Sequence, residues 1–207
     1  MKKITHFLAF ALFTLMFFAG SVQAQNDKTI IGSVAPQFAL KNIDGKNVAL
    51  TDYSSEKGAI VIFTCNHCPY SKMYEDRIVA LDAKYKPMGF PVVAINPNDP
   101  AQYKSDNFSN MKKRAKQKGF TFPYLVDENQ SIAQAYGATR TPHVFLVVNE
   151  GDQQVVRYVG AIDDNPQNEK GVETKFLETA IETVAKGENP DPNYTKAVGC
   201  GIKWKKS

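Results

Sequence analysis

The chain has 207 residues, with 25 Lys and Arg against 21 Asp and Glu, and its formal net charge is +4. Residues 1–24 contain two lysines and no acidic residue, so the net charge of residues 25–207 falls to +2. A charge this small argues against nucleic acid or an anionic membrane surface as the partner. The length suits one domain with a sizeable hydrophobic core.

The first 24 residues have the layout of an export signal. Lys2 and Lys3 form a basic start, residues 7–19 form an apolar run, and the small-residue pattern 22–24 ends in Ala24. A helix over residues 7–19 reaches only about 20 Å, whereas a bilayer core is about 30 Å thick. The cleavage pattern argues against a retained anchor. We therefore predict a signal peptide over 1–24, a mature periplasmic or secreted chain over 25–207, and no membrane span after signal removal.

The mature chain begins with a predicted β-hairpin and continues as alternating strands and helices. Asp44-Gly45 predicts the hairpin turn between two short strands within 38–50. Continuous apolar runs predict buried strands, and apolar spacings of three and four predict helices. The further predicted elements are a strand over 59–63, a helix from Pro69, a strand over 91–95, a helix over 107–118, a short strand or extended segment over 122–126, a helix over 129–136, strands over 144–148 and 155–159, and a helix over 174–186.

This order predicts an α/β fold with helices on both faces of a mixed sheet, since the late pair of strands is antiparallel. Gly187 and Pro190 end the last helix and leave residues 187–207 as a C-terminal tail. The basic run 112–118 lies on a predicted helix whose opposite face is apolar, which indicates a solvated helix face.

Cys65 and Cys68 form a Cys-x-x-Cys motif where a buried strand meets a helix. Unpaired N–H groups and the helix dipole stabilise a thiolate there, and Pro69 suits the first helical turn. Cys68, one helical turn on, is placed to resolve a mixed disulfide formed at Cys65. A loop closed by cysteines this near in sequence stabilises a fold little, so the pair favours redox chemistry over a structural disulfide.

Polar residues around the motif add candidates. His67 lies between the cysteines, and an imidazole there favours the Cys65 thiolate by charge or hydrogen bonding. His143 follows Thr141-Pro142 directly before a strand, which makes it a second candidate with a solvent-facing alternative. Residues 163–165 are a turn or, alternatively, supply a carboxylate near the sulfurs.

Several stretches together resemble the peroxiredoxin-like (redoxin, AhpC/TSA-type) branch of the thioredoxin superfamily. They are residues 94–99, 122–127, 137–142, 160–165 and the tail 199–204, within a resemblance that spans about 32–205. The resemblance implies a thioredoxin-like fold and a redox site at Cys65. It also implies that Pro142 is a cis-proline against the active-site disulfide and that Thr141 and Pro142 contact the substrate. On this basis the protein exchanges disulfides with protein or small-molecule thiols without a dissociable cofactor, and its redox direction stays open.

Two other functions remain as alternatives. A peroxiredoxin places a threonine three residues before its peroxidatic cysteine, whereas Ile62 holds that position before Cys65, which argues against full membership of that group while leaving thiol peroxidase activity open. Cys65, Cys68 and His143 offer soft ligands to copper or zinc. A structural zinc site needs four ligands, and the sequence has no second Cys/His pair, so no metal is expected.

Cys200 is an odd cysteine in a chain predicted to be exported, which suggests a reactive thiol or an intermolecular bond. It stands between Gly199 and Gly201, and Ile202 and Trp204 are expected to hold the tail against the domain. One interpretation is a buried small hydrophobic residue. The other makes Cys200 a candidate third thiol, which requires the tail to fold back to the Cys65 site.

Overall fold

The computed structural model describes residues 30–206. The predicted signal peptide over 1–24 therefore lies outside the described residues. Residues 30–206 form nine strands: β1 (Ala39–Asn42), β2 (Asn47–Ala49), β3 (Gly58–Phe63), β4 (Val92–Asn96), β5 (Tyr124–Val126), β6 (Arg140–Thr141), β7 (His143–Glu150), β8 (Gln153–Gly160) and β9 (Cys200–Gly201). The α-helices of the same region are α1 (Pro69–Tyr85), α2 (Phe108–Lys118), α3 (Ser131–Ala135) and α4 (Phe176–Val184). Within this region no helix is both long and apolar enough to cross a membrane.

Seven strands form one mixed sheet in the order β2-β1-β5-β4-β3-β7-β8. Strand β4 pairs parallel with β3 and β5, whereas β7 pairs antiparallel with β3 and β8. The hairpin predicted from Asp44-Gly45 closes between β1 and β2, where Gly45 donates to the Asn42 carbonyl. The predicted α/β class and mixed sheet are confirmed. Strands β6 and β9 form a separate two-stranded ladder that the sequence did not predict.

All six residues of β3 are buried because the strand lies at the centre of the sheet and is covered on both faces. Ile60 and Ile62 face one core, which receives the buried sides of α1, α2 and α4. Val61 and Phe63 face a second core on the other side, which contains residues from α3 and from the tail. The alternation of side chains along a strand fixes this division.

Helix α1 follows the predicted pattern, and its buried apolar side chains are Tyr74, Ile78, Leu81 and Tyr85. Helix α2 buries Met111 and Ala115 and leaves most of its basic residues toward solvent. Helix α3 is shorter than predicted, since it begins at Ser131 after Gln130 takes a left-handed conformation with φ 62°. The tail prediction was half right: Ile202 is buried at 6% exposure, whereas Trp204 is 37% exposed.

Candidate redox site

The two cysteines of the motif lie at the carboxyl end of β3, where the chain turns into α1. Cys68 is the N-cap residue of α1, and Pro69 occupies the first turn, where a missing N–H costs no hydrogen bond. Both thiols are free and buried, with residue exposures of 2% for Cys65 and 0% for Cys68. The local sequence thus places two thiols at one helix N-terminus, as predicted.

Thr141 contacts both sulfurs from the opposite side of the site. Its Oγ1 lies 3.2 Å from Cys65 Sγ, and its carbonyl oxygen accepts from Cys68 Sγ at 3.1 Å. The Thr141–Pro142 peptide bond is cis, in agreement with the resemblance. Two further groups approach Cys65 Sγ: His67 Nδ1 at 3.5 Å and Ser71 Oγ at 3.8 Å. Cys65 is therefore surrounded by groups that can donate to a thiolate.

The two sulfurs are hydrogen-bonded to each other and titrate as one pair. The hydrogen bond with Cys65 lowers the pKa of the Cys68 thiol. Burial, together with that hydrogen bond, raises the pKa of the Cys65 thiol. Because the two sulfurs share a hydrogen bond, the pair loses its first proton more easily than an isolated thiol does.

A buried carboxylate, Asp106, organises the segment between the cysteines. Its Oδ2 lies 2.6 Å from His67 Nδ1, and its Oδ1 accepts from the backbone N–H groups of Asn66 at 2.7 Å and His67 at 3.2 Å. Asn98 Nδ2 also donates to Oδ2, at 3.0 Å. The His67 ring stacks on Tyr103 with ring centroids 4.0 Å apart. These contacts fix the imidazole beside Cys65.

Sequence reasoning missed Asp106 and Asn98. Asp106 ends a short 3-10 helix (Lys104–Asp106) before α2, and its local sequence is that of an ordinary solvated turn. Asn98 was detectable, since it follows β4, and the carboxyl ends of the parallel neighbours β3 and β4 meet at one edge of the sheet.

Two candidates from the sequence form hydrogen bonds with groups other than the sulfurs. His143 is fully buried in β7, where its Nδ1 accepts from the Thr139 N–H at 3.3 Å and its ring packs on Phe145. Asp163 accepts from Tyr74 at 2.7 Å and forms an ion pair with Arg77 at 2.6 Å. The carboxylate of the 163–165 segment therefore anchors α1, and the carboxylate near the sulfurs is Asp106.

Cys200 lies at the site. Strands β6 and β9 are antiparallel neighbours, with Thr141 opposite Cys200, and the Cys200 thiol hydrogen-bonds with Cys68. The tail therefore folds back to the motif, but it brings its sulfur to Cys68 and occupies the backbone of Thr141, the residue expected to contact substrate.

The described residues also contain one group with metal-ligand geometry. Cys65 Sγ, His67 Nδ1 and an Asp106 oxygen lie within 4.8 Å of one another. His143, a ligand in the copper or zinc alternative, does not belong to this group. The same atoms already form the hydrogen bonds that hold His67 beside Cys65.

Comparison with known proteins places these features in a family. The solved structure of an uncharacterized conserved protein from Geobacillus kaustophilus is 38% identical, covers 86% of this chain and 93% of its own, and superposes with a TM-score of 0.77. The thioredoxin domain of a thiol-disulfide oxidoreductase from Bacteroides vulgatus covers 61% of this chain and 86% of its own at 22% identity, with a TM-score of 0.51. That likeness shows the thioredoxin-like fold.

The thiol-disulfide oxidoreductase ResA of Geobacillus thermodenitrificans is 30% identical over 124 residues, or 58% of this chain. The match spans 65% of the length of that relative. The model of the AhpC/TSA family matches residues 31–159, which is more than half of the sequence. The chain belongs to the AhpC/TSA family.

Proposed function

We propose that this protein is an exported thiol–disulfide oxidoreductase in which Cys65 and Cys68 alternate between dithiol and disulfide. One observation carries the proposal: two buried free thiols lie side by side at a helix N-terminus, and both contact Thr141, whose peptide bond to Pro142 is cis. A hydrogen-bonded pair of this kind keeps a thiolate at neutral pH, which is the nucleophile of disulfide exchange. The name of the ResA relative supports the same activity.

In the proposed reaction Cys65 attacks a substrate disulfide. Cys65 keeps 2% exposure and Cys68 none, and Cys68 is further enclosed by Thr141 and Cys200, which supports Cys65 as the attacking sulfur. A mixed disulfide forms at Cys65, and one substrate sulfur leaves as a thiolate. Cys68 then attacks Cys65, releases the second substrate sulfur, and leaves the protein oxidised and the substrate reduced by two electrons. The reverse sequence oxidises a dithiol substrate.

Three side chains surround the attacking sulfur with donors. His67 Nδ1 lies 2.6 Å from Asp106 Oδ2 and 3.5 Å from Cys65 Sγ, so its proton goes mainly to the carboxylate and only weakly to a Cys65 thiolate. Thr141 Oγ1 and Ser71 Oγ offer two further donors to the same sulfur. Stabilising the thiolate stabilises the reduced protein relative to the disulfide, so this donor set makes the disulfide more oxidising.

The test of this function is a redox equilibrium. The mature protein carrying Cys200→Ser is incubated in glutathione buffers of graded potential, quenched with acid and alkylated for mass measurement. We expect one two-electron transition in which Cys65 and Cys68 lose their alkylation together, and its midpoint gives the redox direction. A chain whose two cysteines remain fully alkylated in pure oxidised glutathione would contradict the proposal.

Replacing His67 should weaken the thiolate. Wild type should lose the ultraviolet absorbance of its thiolate at a lower pH than an ordinary thiol, because the hydrogen bond between the two sulfurs lowers the pKa of Cys68. In His67→Ala we expect the thiolate titration to move up by about one pH unit, or about 1.4 kcal/mol, because the ring nitrogen 3.5 Å from Cys65 Sγ is lost. His67→Gln, which keeps a hydrogen-bonding group, is the matched control. A titration identical to wild type in His67→Ala removes the histidine from the mechanism.

One observation favours thiol peroxidase as a second function. Ile62 occupies the position where a peroxiredoxin has its threonine, yet Thr141 brings a hydroxyl within 3.2 Å of Cys65 Sγ from another strand. A thiolate with such a donor reacts with peroxide to a sulfenic acid, which Cys68 can condense to a disulfide. Consumption of hydrogen peroxide with a dithiol reductant, lost in Thr141→Val, would support this activity.

A further inference from the structure

The C-terminal strand β9 holds a third sulfur against the redox pair. Cys200 lies opposite Thr141 in the β6–β9 ladder. The thiol of Cys200 and its backbone N–H both hydrogen-bond to the sulfur of Cys68. Cys65, Cys68 and Cys200 thus form a row in which Cys68 touches both of the others.

The position of Cys200 is built by the contacts of the residues that follow it. Ile202 is buried in the core on one face of the sheet, and its N–H donates to the Thr139 carbonyl at 3.2 Å. The N–H of Lys203 donates to Asn98 Oδ1 at 2.8 Å, and its carbonyl accepts from Gln130 Nε2 at 2.9 Å. These hydrogen bonds hold residues 202 and 203 against the domain. They therefore also hold the Cys200 sulfur next to Cys68.

Gly199 allows the tail to pass this close to the cis-proline. A Cβ at position 199 would lie 2.3 Å from the Thr141 carbonyl oxygen and 3.1 Å from the Pro142 nitrogen. Backbone atoms cannot move aside cheaply, so a larger residue would push the tail away. Gly199 therefore allows the Cys200 sulfur to come close to Cys68.

We propose that Cys200 is a third redox thiol, which converts the Cys65–Cys68 disulfide into a Cys68–Cys200 disulfide. This inference rests on the proposed function, because the first disulfide must form there. The Cys200 thiol loses its proton to solvent, and the thiolate attacks Cys68 Sγ. The Cys68–Cys200 bond forms, the Cys65–Cys68 bond breaks, and Cys65 leaves as a thiolate. One disulfide replaces another, so no external oxidant or reductant takes part.

In this exchange one sulfur, Cys65, attacks the substrate, and another, Cys200, receives the disulfide that is later reduced. A site with two cysteines must use the same pair for both steps. Cys65 regains its thiolate while the protein stays oxidised, and it can attack again. The disulfide moves to Cys200, which is partly exposed, whereas Cys65 and Cys68 are buried. A dithiol reductant can reach a sulfur at that position directly, so we place the reductive step of the cycle at the tail.

The test identifies the cysteines joined in the oxidised protein. Wild type is oxidised with one equivalent of oxidised glutathione, quenched with acid, alkylated and digested with trypsin. Cleavage after Lys57 and Lys72 releases Cys65 and Cys68 in peptide 58–72, and cleavage after Lys196 and Lys203 releases Cys200 in peptide 197–203. We expect a linked pair of these two peptides with alkylated Cys65.

Three variants make the result specific. Cys65→Ser should form the same linked peptides on oxidation, and Cys68→Ser should not, because Cys200 contacts Cys68. Gly199→Val keeps all three thiols but displaces β9, and cysteines with Cα atoms more than about 7 Å apart cannot be bridged. It should therefore lose the linked peptides while still forming the Cys65–Cys68 disulfide.

The rate of the exchange supplies a second readout. Burial raises the pKa of Cys200, and this cause persists when Cys68 is part of a disulfide. The attacking thiolate fraction therefore grows about tenfold per pH unit below that pKa, and the linked peptides should appear about tenfold faster for each unit over that range. A Cys65–Cys68 disulfide with no linked peptides in wild type or Cys65→Ser would overturn this inference and leave the proposed function standing. Absence of the Cys65–Cys68 disulfide in the oxidised Cys200→Ser variant would instead refute the proposed function.

Discussion

Cys65→Ser should reduce catalysed disulfide exchange by about a thousandfold or more, to the rate of the uncatalysed reaction, because it removes the attacking sulfur. Cys68→Ser should retain the first attack and accumulate a mixed disulfide between Cys65 and the substrate, since the resolving thiol is gone. The two variants therefore behave differently: Cys65→Ser does not react with the substrate, and Cys68→Ser stops at the mixed disulfide.

The measurement combines a turnover assay with intact mass. Both variants are made in a Cys200→Ser background, so that the third thiol cannot resolve the mixed disulfide. The substrate is a mixed disulfide of glutathione, and the trapped species is detected as a glutathione adduct. If Cys68→Ser is inert and Cys65→Ser carries the adduct, Cys68 is the attacking sulfur and the roles proposed here are reversed.

Asp106→Ala should give the largest loss of stability among the site residues. The carboxylate accepts from two backbone N–H groups, from Asn98 and from the imidazole of His67, and it is only 2% exposed. Removing it leaves buried donors unpaired, which costs about 3 kcal/mol or more of the free energy of unfolding. For a chain of this size we expect the melting temperature to fall by about 6–12 °C.

Asp106 is a positioning residue that holds His67, and the thiolate titration tests this role separately from stability. Asp106→Asn retains an acceptor for the backbone N–H groups but loses the charge that faces His67. We expect it to be more stable than Asp106→Ala and to shift the thiolate titration to lower pH, because the charge of Asp106 raises the pKa of Cys65.

Asp127 provides the matched control. It is also 2% exposed and accepts from the backbone N–H groups of Ile132 and Ala133, so it stabilises α3 in the same manner. Asp127→Ala should destabilise the fold without moving the thiolate titration. Equal titrations in Asp106→Ala and Asp127→Ala would show that Asp106 has only a structural role.

The parts of the fold that the sequence determined are those set by local patterns. The continuous apolar run over 59–63 became the buried strand β3, and the Asp44-Gly45 turn closed the hairpin. The spacing of the apolar residues in α1 matched its buried face. The strand–Cys-x-x-Cys–helix junction also depends on neighbouring residues alone, since Pro69 and the free N–H groups of the first turn lie within a few residues of both sulfurs.

Only the tertiary structure decided which distant groups reach the sulfurs. Asp106 lies in a loop whose local sequence predicts a solvated turn, and it becomes buried because the packing of α2 and the end of β4 carries that loop over His67. Cys200 reaches Cys68 through the pairing of β9 with β6, a contact between segments about 60 residues apart along the chain. Ile202 is buried while Trp204 is largely exposed for the same reason: the path of the tail across Thr139 and Asn98, set by long-range hydrogen bonds, determines which side chains face the core.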